Sequence, residues 1–391
     1  MNVLRGRNFL MTPGPSSIPE RVLRAMARNS VDLGGDDFVA MVRHCIDELK
    51  PVFGTDGSVF AFISNGHGAW ESAVTNVIAP GDHVLLPSTG HFGHNWGLMA
   101  SDVAAQVDVI PNDWKSAVDP QQVEDRLRAD TEHKIKAVLL VHTDTATGIT
   151  NDVPAVRAAI DAANHPALFM VDAVASLGTV DFRMDEWGVD VTVAASQKGL
   201  MSPAGMGFTA VSAKAMEAAK TGGAPRYYWD WHRRNSDEWY RWFCGTAPQQ
   251  LLFALREAID MLNEEGLPQV FARHHRLATM TRTAVEHWQR AGAVGFNAHD
   301  ASTSSNSITA VRVNEPFNAW DIKRTCGERF NVTLGGGLGQ LDGKVFRIAH
   351  MGDSNEATIL GALGAVEATF SHLNIPYESG LTAAVQDMLD T

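Results

Sequence analysis

The sequence predicts an α/β protein: a mostly parallel seven-stranded sheet with helices on both faces, followed by a smaller C-terminal α/β unit. Three observations lead there. Seven short stretches rich in apolar residues are strand candidates: Val59–Ile63, Val84–Leu86, Val107–Ile110, Ala137–Val141, Leu168–Val171, Val191–Ala194 and Gly207–Val211. Helical stretches fall between them at Ala69–Ile78, Gln121–Ala129 and Val153–Ala163. Repeated βα units with short buried strands argue for a parallel sheet covered on both faces.

Taken in order, the chain begins with Phe9–Pro15, an extended entry in which Pro13 and Pro15 forbid a helix. Pro19 opens a helix to about Arg28. After Val59–Ile63 comes the turn Ser64-Asn65-Gly66-His67-Gly68, then a helix with Trp70, Val74 and Val77 on one face. Ala224–Pro248 breaks the βα rhythm with eleven Trp, Tyr and Arg residues from Arg226 to Trp242, and most of these are expected to cover an interface. Helices follow at Gln249–Asn263 and Gln269–Ala291, punctuated by Gly266-Leu267-Pro268. The second unit carries strands Ser307–Val313 and Lys344–His350 and helices Ala319–Phe330 and Asn355–Leu373. These boundaries give an extended segment 1–20, a large domain 21–265 and a small domain 266–391.

Composition removes several classes of function. The chain has 391 residues, 45% hydrophobic and 20% charged, with a formal net charge of −13 and no basic block. Neither nucleic acid nor an anionic membrane is an expected partner. Cys45, Cys244 and Cys326 form no CxxC pair, and the fifteen histidines show no HExxH or HxxxH spacing. Neither a disulfide framework nor a metal site is expected. No apolar run approaches membrane-spanning length, and Met1–Arg7 lacks a signal-peptide core, so a cytoplasmic enzyme is expected.

Chemistry concentrates at two strand ends. Lys198 closes the run Val189–Ala194 in Ser196-Gln197-Lys198-Gly199-Leu200, far from other charges: Asp190 precedes it and the next acid is Glu217. A lysine in an apolar pocket has a lowered pKa, and its free amine can form a Schiff base with an aldehyde cofactor. A lysine snorkelling from a loop is the plain alternative. Asp172 ends the run Ala167–Val171, 26 residues earlier. Pyridoxal phosphate needs both groups: a lysine for its aldehyde and an acid facing its ring nitrogen. Neighbouring parallel strands would bring both to one sheet edge.

Val171-Asp172-Ala173-Val174-Ala175-Ser176-Leu177-Gly178, followed by Ser196-Gln197-Lys198-Gly199-Leu200, resembles the class V, fold-type I pyridoxal phosphate aminotransferases, among them the serine–, alanine– and aspartate–glyoxylate enzymes. The resemblance runs from about Phe9 to Gly361. It implies a ping-pong transamination between a small amino acid and a 2-oxo acid such as glyoxylate, with Lys198 moving the α-proton and Asp172 holding the ring nitrogen protonated. It also implies that Gly66 and His67 bind the phosphate at a helix N-terminus, assisted by Gln197. Val174 joins the cofactor site, and Phe92 stacks on the ring, with His91 and His94 as rival stackers. His142-Thr143-Asp144-Thr145-Ala146-Thr147-Gly148 matches a family turn in which Thr145 contacts the cofactor, Asp144 standing where Glu is usual. In Val345–Gly352, Arg347 is the family's carboxylate clamp; an internal salt bridge is the alternative. Trp242–Pro248 matches a segment that relatives deliver from a partner subunit, which implies a homodimer with shared active sites. There Thr246 is kept, and Phe243 stands where a tyrosine is common.

Other readings stay open. Where relatives often carry His-Arg ahead of Phe38, this chain has Leu33-Gly34, so a less usual donor such as pyridoxamine or an aminophosphonate, with pyruvate as acceptor, is compatible. A lyase or desulfurase on the same scaffold would need a loop cysteine, and only Cys244 sits in a loop. A dinucleotide-binding protein would need a third glycine after Gly66-His67-Gly68.

Overall fold

The structure is a computed structural model that describes residues 5–390. Met1–Leu4 and Thr391, included in the segment and domain ranges above, lie outside the described residues. Numbering strands along the chain, β1 is Phe9–Met11, β2 Ser58–Ser64, β3 His83–Pro87, β4 Gln106–Ile110 and β5 Ile135–Val141. A small hairpin pairs β6 (Thr143–Asp144) with β7 (Ile149–Thr150), and β8 Leu168–Asp172, β9 Val191–Ala195 and β10 Gly205–Val211 follow. All seven expected runs join one sheet in the order β2-β10-β9-β8-β5-β3-β4. The β4-β3-β5-β8-β9 set is parallel throughout, and β10 alone runs antiparallel to both its neighbours.

Strand alternation assigns the two faces. In β8, Phe169 and Val171 enter the core that also holds residues of helices Asp36–Phe53 and Val153–Ala162, whereas Leu168 and Met170 enter the core that holds residues of helix Gly66–Val77. Asp172, two residues beyond Met170, falls on the Gly66–Val77 side by the same period. That helix buries Ala69, Trp70, Ala73, Val74 and Val77 against β9 and β10. Each fully buried aliphatic side chain contributes roughly 1.5–3 kcal/mol.

A second sheet holds β11 Val294–Phe296, β12 Ile308–Val313, β13 Val332–Gly336 and β14 Val345–Ala349, in the order β1-β13-β14-β12-β11. The N-terminal entry is thus an edge strand: Phe9–Met11 runs parallel to Val332–Leu334, more than 320 residues later. Helices Leu267–Trp288, Ala319–Phe330 and Glu356–His372 build its separate core.

The aromatic stretch departs from expectation. Trp231 is wholly buried, stacked on Phe60 at 6.2 Å and donating through Nε1 to Ser72 Oγ at 3.0 Å. Arg234 is 2% exposed, between the rings of Phe62 and Tyr228. Both are core, not cover. Tyr227 and Tyr240 do lie on the surface.

Candidate active site

The parallel strands end at one edge, the usual site for ligands in open α/β sheets. There β2 delivers Asn65-Gly66-His67, β3 leads to Phe92, β5 to Thr143 and Thr145, β8 to Asp172 and Val174, and β9 to Gln197 and Lys198. All of these line one cavity of about 290 Å³, together with Trp70, Ala175 and Ala204, and with Gly14 and Pro15 from the N-terminal segment. Of the expected residues, Gly66, His67, Phe92, Thr145, Asp172, Val174, Gln197 and Lys198 are therefore brought together. Thr246 is not: it is exposed and lines no part of this cavity. Arg347 stands just behind the wall, its Nη1 donating to the Thr145 carbonyl at 2.9 Å.

Lys198 is 9% exposed. Its Nζ donates to the Pro13 carbonyl. Burial, then the Arg347 charge, bring its pKa down to about 8, against the pull of Asp172 and Asp144. The N-terminal segment is tied over this lysine: Ser16 N donates to Gln197 O at 2.9 Å and Ser16 Oγ to Lys198 O at 2.9 Å. Gly14 has φ +115°, and a Cβ there would stand 2.3 Å from Lys198 Nζ. The positive φ disfavours any L side chain there, and one would also push the lysine tip aside.

Asp172 is 3% exposed and accepts from Val174 N at 2.6 Å and from Trp70 Nε1 at 2.8 Å. Burial pushes its pKa up to about 7, against both donors. Trp70 was marked by the sequence only as a helix-face residue. The available signal was its place one turn into the helix after Ser64–Gly68, where i+3 and i+4 positions share a face.

Asp144 also does more than form a polar turn. Its Oδ2 accepts from Phe92 N at 2.8 Å and Gly93 N at 3.3 Å, and its Oδ1 from Ala146 N at 2.9 Å. It therefore caps helix His91–Asp102 from 52 residues away. A Cβ on Gly90 would meet that carboxylate at 2.3 Å. Of the rival stackers, Phe92 alone lines the cavity, while His91 Nε2 pairs with Asn95 Nδ2 at 3.0 Å. Asn65 Oδ1 caps helix Gly66–Val77 by accepting from His67 N and Gly68 N.

The site fits pyridoxal phosphate. The Gln197 amide lines the same cavity as Gly66 and His67 at the N-terminus of helix Gly66–Val77; its Nε2 can donate to a phosphate, and its buried Oε1, unpaired among the described residues, calls for a donor. A buried carboxylate with a raised pKa and a buried amine with a lowered one face the same cavity.

Linkage gives a test within the cofactor-free protein. The Asp172 pKa is raised from 3.8 to about 7, so between those values the folded state holds a proton that the unfolded state releases. Its stability contribution falls as pH rises through that window, and the penalty is complete above it. Asp172→Asn leaves a buried donor unpaired at every pH but removes the titration. The stability of the variant relative to wild type should rise by a few kcal/mol, in order of magnitude, from pH 4 to pH 8. Urea unfolding along that range measures it, and a flat difference would contradict the raised pKa.

Known proteins are similar to this chain along nearly its whole length. Residues 8–340 match the family described as Aminotransferase class-V. The chain is 43% identical over 387 residues to the serine–glyoxylate aminotransferase of Methylorubrum extorquens, covering 97% of this chain and 95% of that one. It is 38% identical over 391 residues to the L-aspartate–glyoxylate aminotransferase of Paracoccus denitrificans, covering 99% and 98%. Among solved structures, the ureidoglycine–glyoxylate aminotransferase of Bacillus subtilis superposes with a TM-score of 0.89 at 26% identity, covering 99% of this chain and 100% of that one. The fold, the strand-end lysine and aspartate, and these likenesses together place the chain in the class V aminotransferase family, as a pyridoxal phosphate-dependent aminotransferase.

Proposed function

We propose that this enzyme moves the amino group of a small α-amino acid (serine, alanine or aspartate) to glyoxylate. The observation that carries the carboxylate part is Arg347. It is 7% exposed, and among the described residues it forms no ion pair. Its Nε and Nη1 donate to the carbonyls of Gly336 and Thr145. Asp144 acts on its charge without an ion-pair contact, and a buried guanidinium whose only bonds are to carbonyls can take an anionic ligand. Glyoxylate as acceptor rests on the relatives, which share that co-substrate in their names and differ in the donor.

In this reading Gly66, His67 and Gln197 hold the phosphate, Phe92 covers the ring, Val174 and Thr145 flank it, and Asp172 faces its nitrogen. When bound, pyridoxal phosphate supplies the electron sink for negative charge at the substrate α-carbon. Lys198, with a pKa near 8, carries an appreciable neutral fraction at physiological pH and can take the α-proton and return it on the other side of the exchange. Arg347 fixes the carboxylate, which orients the α-carbon toward that amine. We further infer a homodimer: Thr246 is exposed, and a second copy is what would carry it to a cavity.

A panel of donors (serine, alanine, aspartate, pyridoxamine) against glyoxylate, pyruvate and 2-oxoglutarate tests the proposal. A small amino acid with glyoxylate should give the highest kcat/KM, by at least about tenfold, the scale of one methylene in a shaped pocket. A higher value for pyridoxamine with pyruvate would replace the reading by the rarer one.

A further inference from the structure

We infer that Trp70 is a positioning residue for the transamination: its indole N–H holds the Asp172 carboxylate charged and aimed into the cavity, so that the ring nitrogen stays protonated.

Three observations support it. The contact is direct and buried, Trp70 Nε1 donating to Asp172 Oδ2 at 2.8 Å with Trp70 itself 2% exposed. The indole is also held by three rings: it stacks on Trp96 at 5.9 Å and 13°, meets Phe92 edge-on at 6.3 Å, and lies 4.5 Å from the His67 ring. Finally, Trp70 stands in helix Gly66–Val77, whose N-terminus carries Gly66 and His67. One rigid helix thus addresses both ends of the cofactor, the phosphate with its first turn and the ring-nitrogen acid with its second.

The need for such a donor follows from burial. Asp172 is removed from water, and Asp144 adds a like charge, so its proton-bearing form is favoured; Lys198 opposes this, as do the two donors Val174 N and Trp70 Nε1. Val174 N–H comes with the backbone turn and cannot be tuned. Trp70 is the side chain that can. The other titratable group against this pair is His67, which burial holds below its usual pKa. A carboxylate that keeps its own proton cannot accept one from the ring, so loss of the indole donor should be felt at the ring nitrogen before anything else.

Trp70→Phe removes the N–H and keeps an aromatic ring. In the holoenzyme the ¹⁵N shift of ring-labelled cofactor, recorded without substrate, should move toward the unprotonated value, and the pH at which it moves should fall. The kcat should fall roughly 10- to 100-fold, the scale of a hydrogen bond to a charged group, while KM for the donor stays within about threefold. In an Asp172→Asn background the same change should cost almost nothing, because the charge it serves is gone. Trp96→Phe is the packing control: Trp96 Nε1 has no partner among the described residues, so this variant should lower Tm without moving the ¹⁵N signal. An unchanged ¹⁵N shift with wild-type kcat in Trp70→Phe, or an equal loss in both backgrounds, would overturn the assignment. Because the ¹⁵N measurement needs no substrate, its result is independent of which donor and acceptor the enzyme uses.

Discussion

Lys198→Ala should yield a folded protein whose turnover is down by at least about 10³-fold, within the range spanned by loss of a positioned acid–base group. The fold should survive for a physical reason. The Lys198 amine is buried and its pKa is lowered to about 8, so at neutral pH the folded state bears the cost of a poorly solvated cation. Removing it relieves that cost and loses the bond to the Pro13 carbonyl and the packing beneath Gly14. Turnover should not survive, since no other lysine lines the cavity. Borohydride reduction of the wild-type holoenzyme followed by peptide mapping should label Lys198 alone. A label on Lys214 or Lys220 would refute the assignment, and both are poor candidates: Lys214 pairs with Asp190 at 3.3 Å, and Lys220 is exposed beside Glu217. The pH dependence of covalent cofactor uptake should have a midpoint near 8, well below the 10.5 of an ordinary lysine.

The sheet that positions this lysine was legible because the strands beside it, β8 and β9, are buried on both faces. Short stretches rich in apolar residues mark the strands, and seven of seven fall in one sheet. Non-local structure was not legible. Phe9–Met11 finds its partner in Val332–Leu334, and no local pattern announces a pairing across the whole chain. Helix His91–Asp102 has glycines at 93 and 97 and weak propensity; it is held by Asp144, a residue whose sequence neighbourhood reads as a turn. Trp70 was visible as an apolar helix position, but its indole N–H acts on a carboxylate 102 residues later. Side chains that bond along their own segment can be read from spacing, whereas those that bond across the sheet edge need the topology first.

Arg347 joins both parts of the molecule, and its removal should produce the second large effect. It lies in β14 with all five residues of the strand buried, and it reaches across to Thr145 of the large-sheet edge while holding Gly336 in the second sheet. Truncating one partner of a buried charge pair typically costs about 2–5 kcal/mol, so Arg347→Ala should raise the apparent KM for amino and keto acid alike by at least about 30-fold, with cofactor still bound. Arg347→Lys keeps the charge but loses the fork that grips a carboxylate with two parallel bonds, and should recover only part of the loss. An amine donor without a carboxylate should be nearly indifferent to both changes. A further consequence separates substrate binding from simple scaffolding. The Arg347 charge is the second cause, after burial, of the lowered Lys198 pKa; removing it should move the basic limb governed by Lys198 to higher pH, whereas Arg347→Lys should leave it in place. If Arg347→Ala unfolds the protein while Arg347→Lys shows wild-type KM values, the two carbonyl bonds are its whole role and the substrate carboxylate is held elsewhere. If affinities fall and the Lys198 limb shifts together, one guanidinium both grips the substrate and keeps the lysine ready to take its proton.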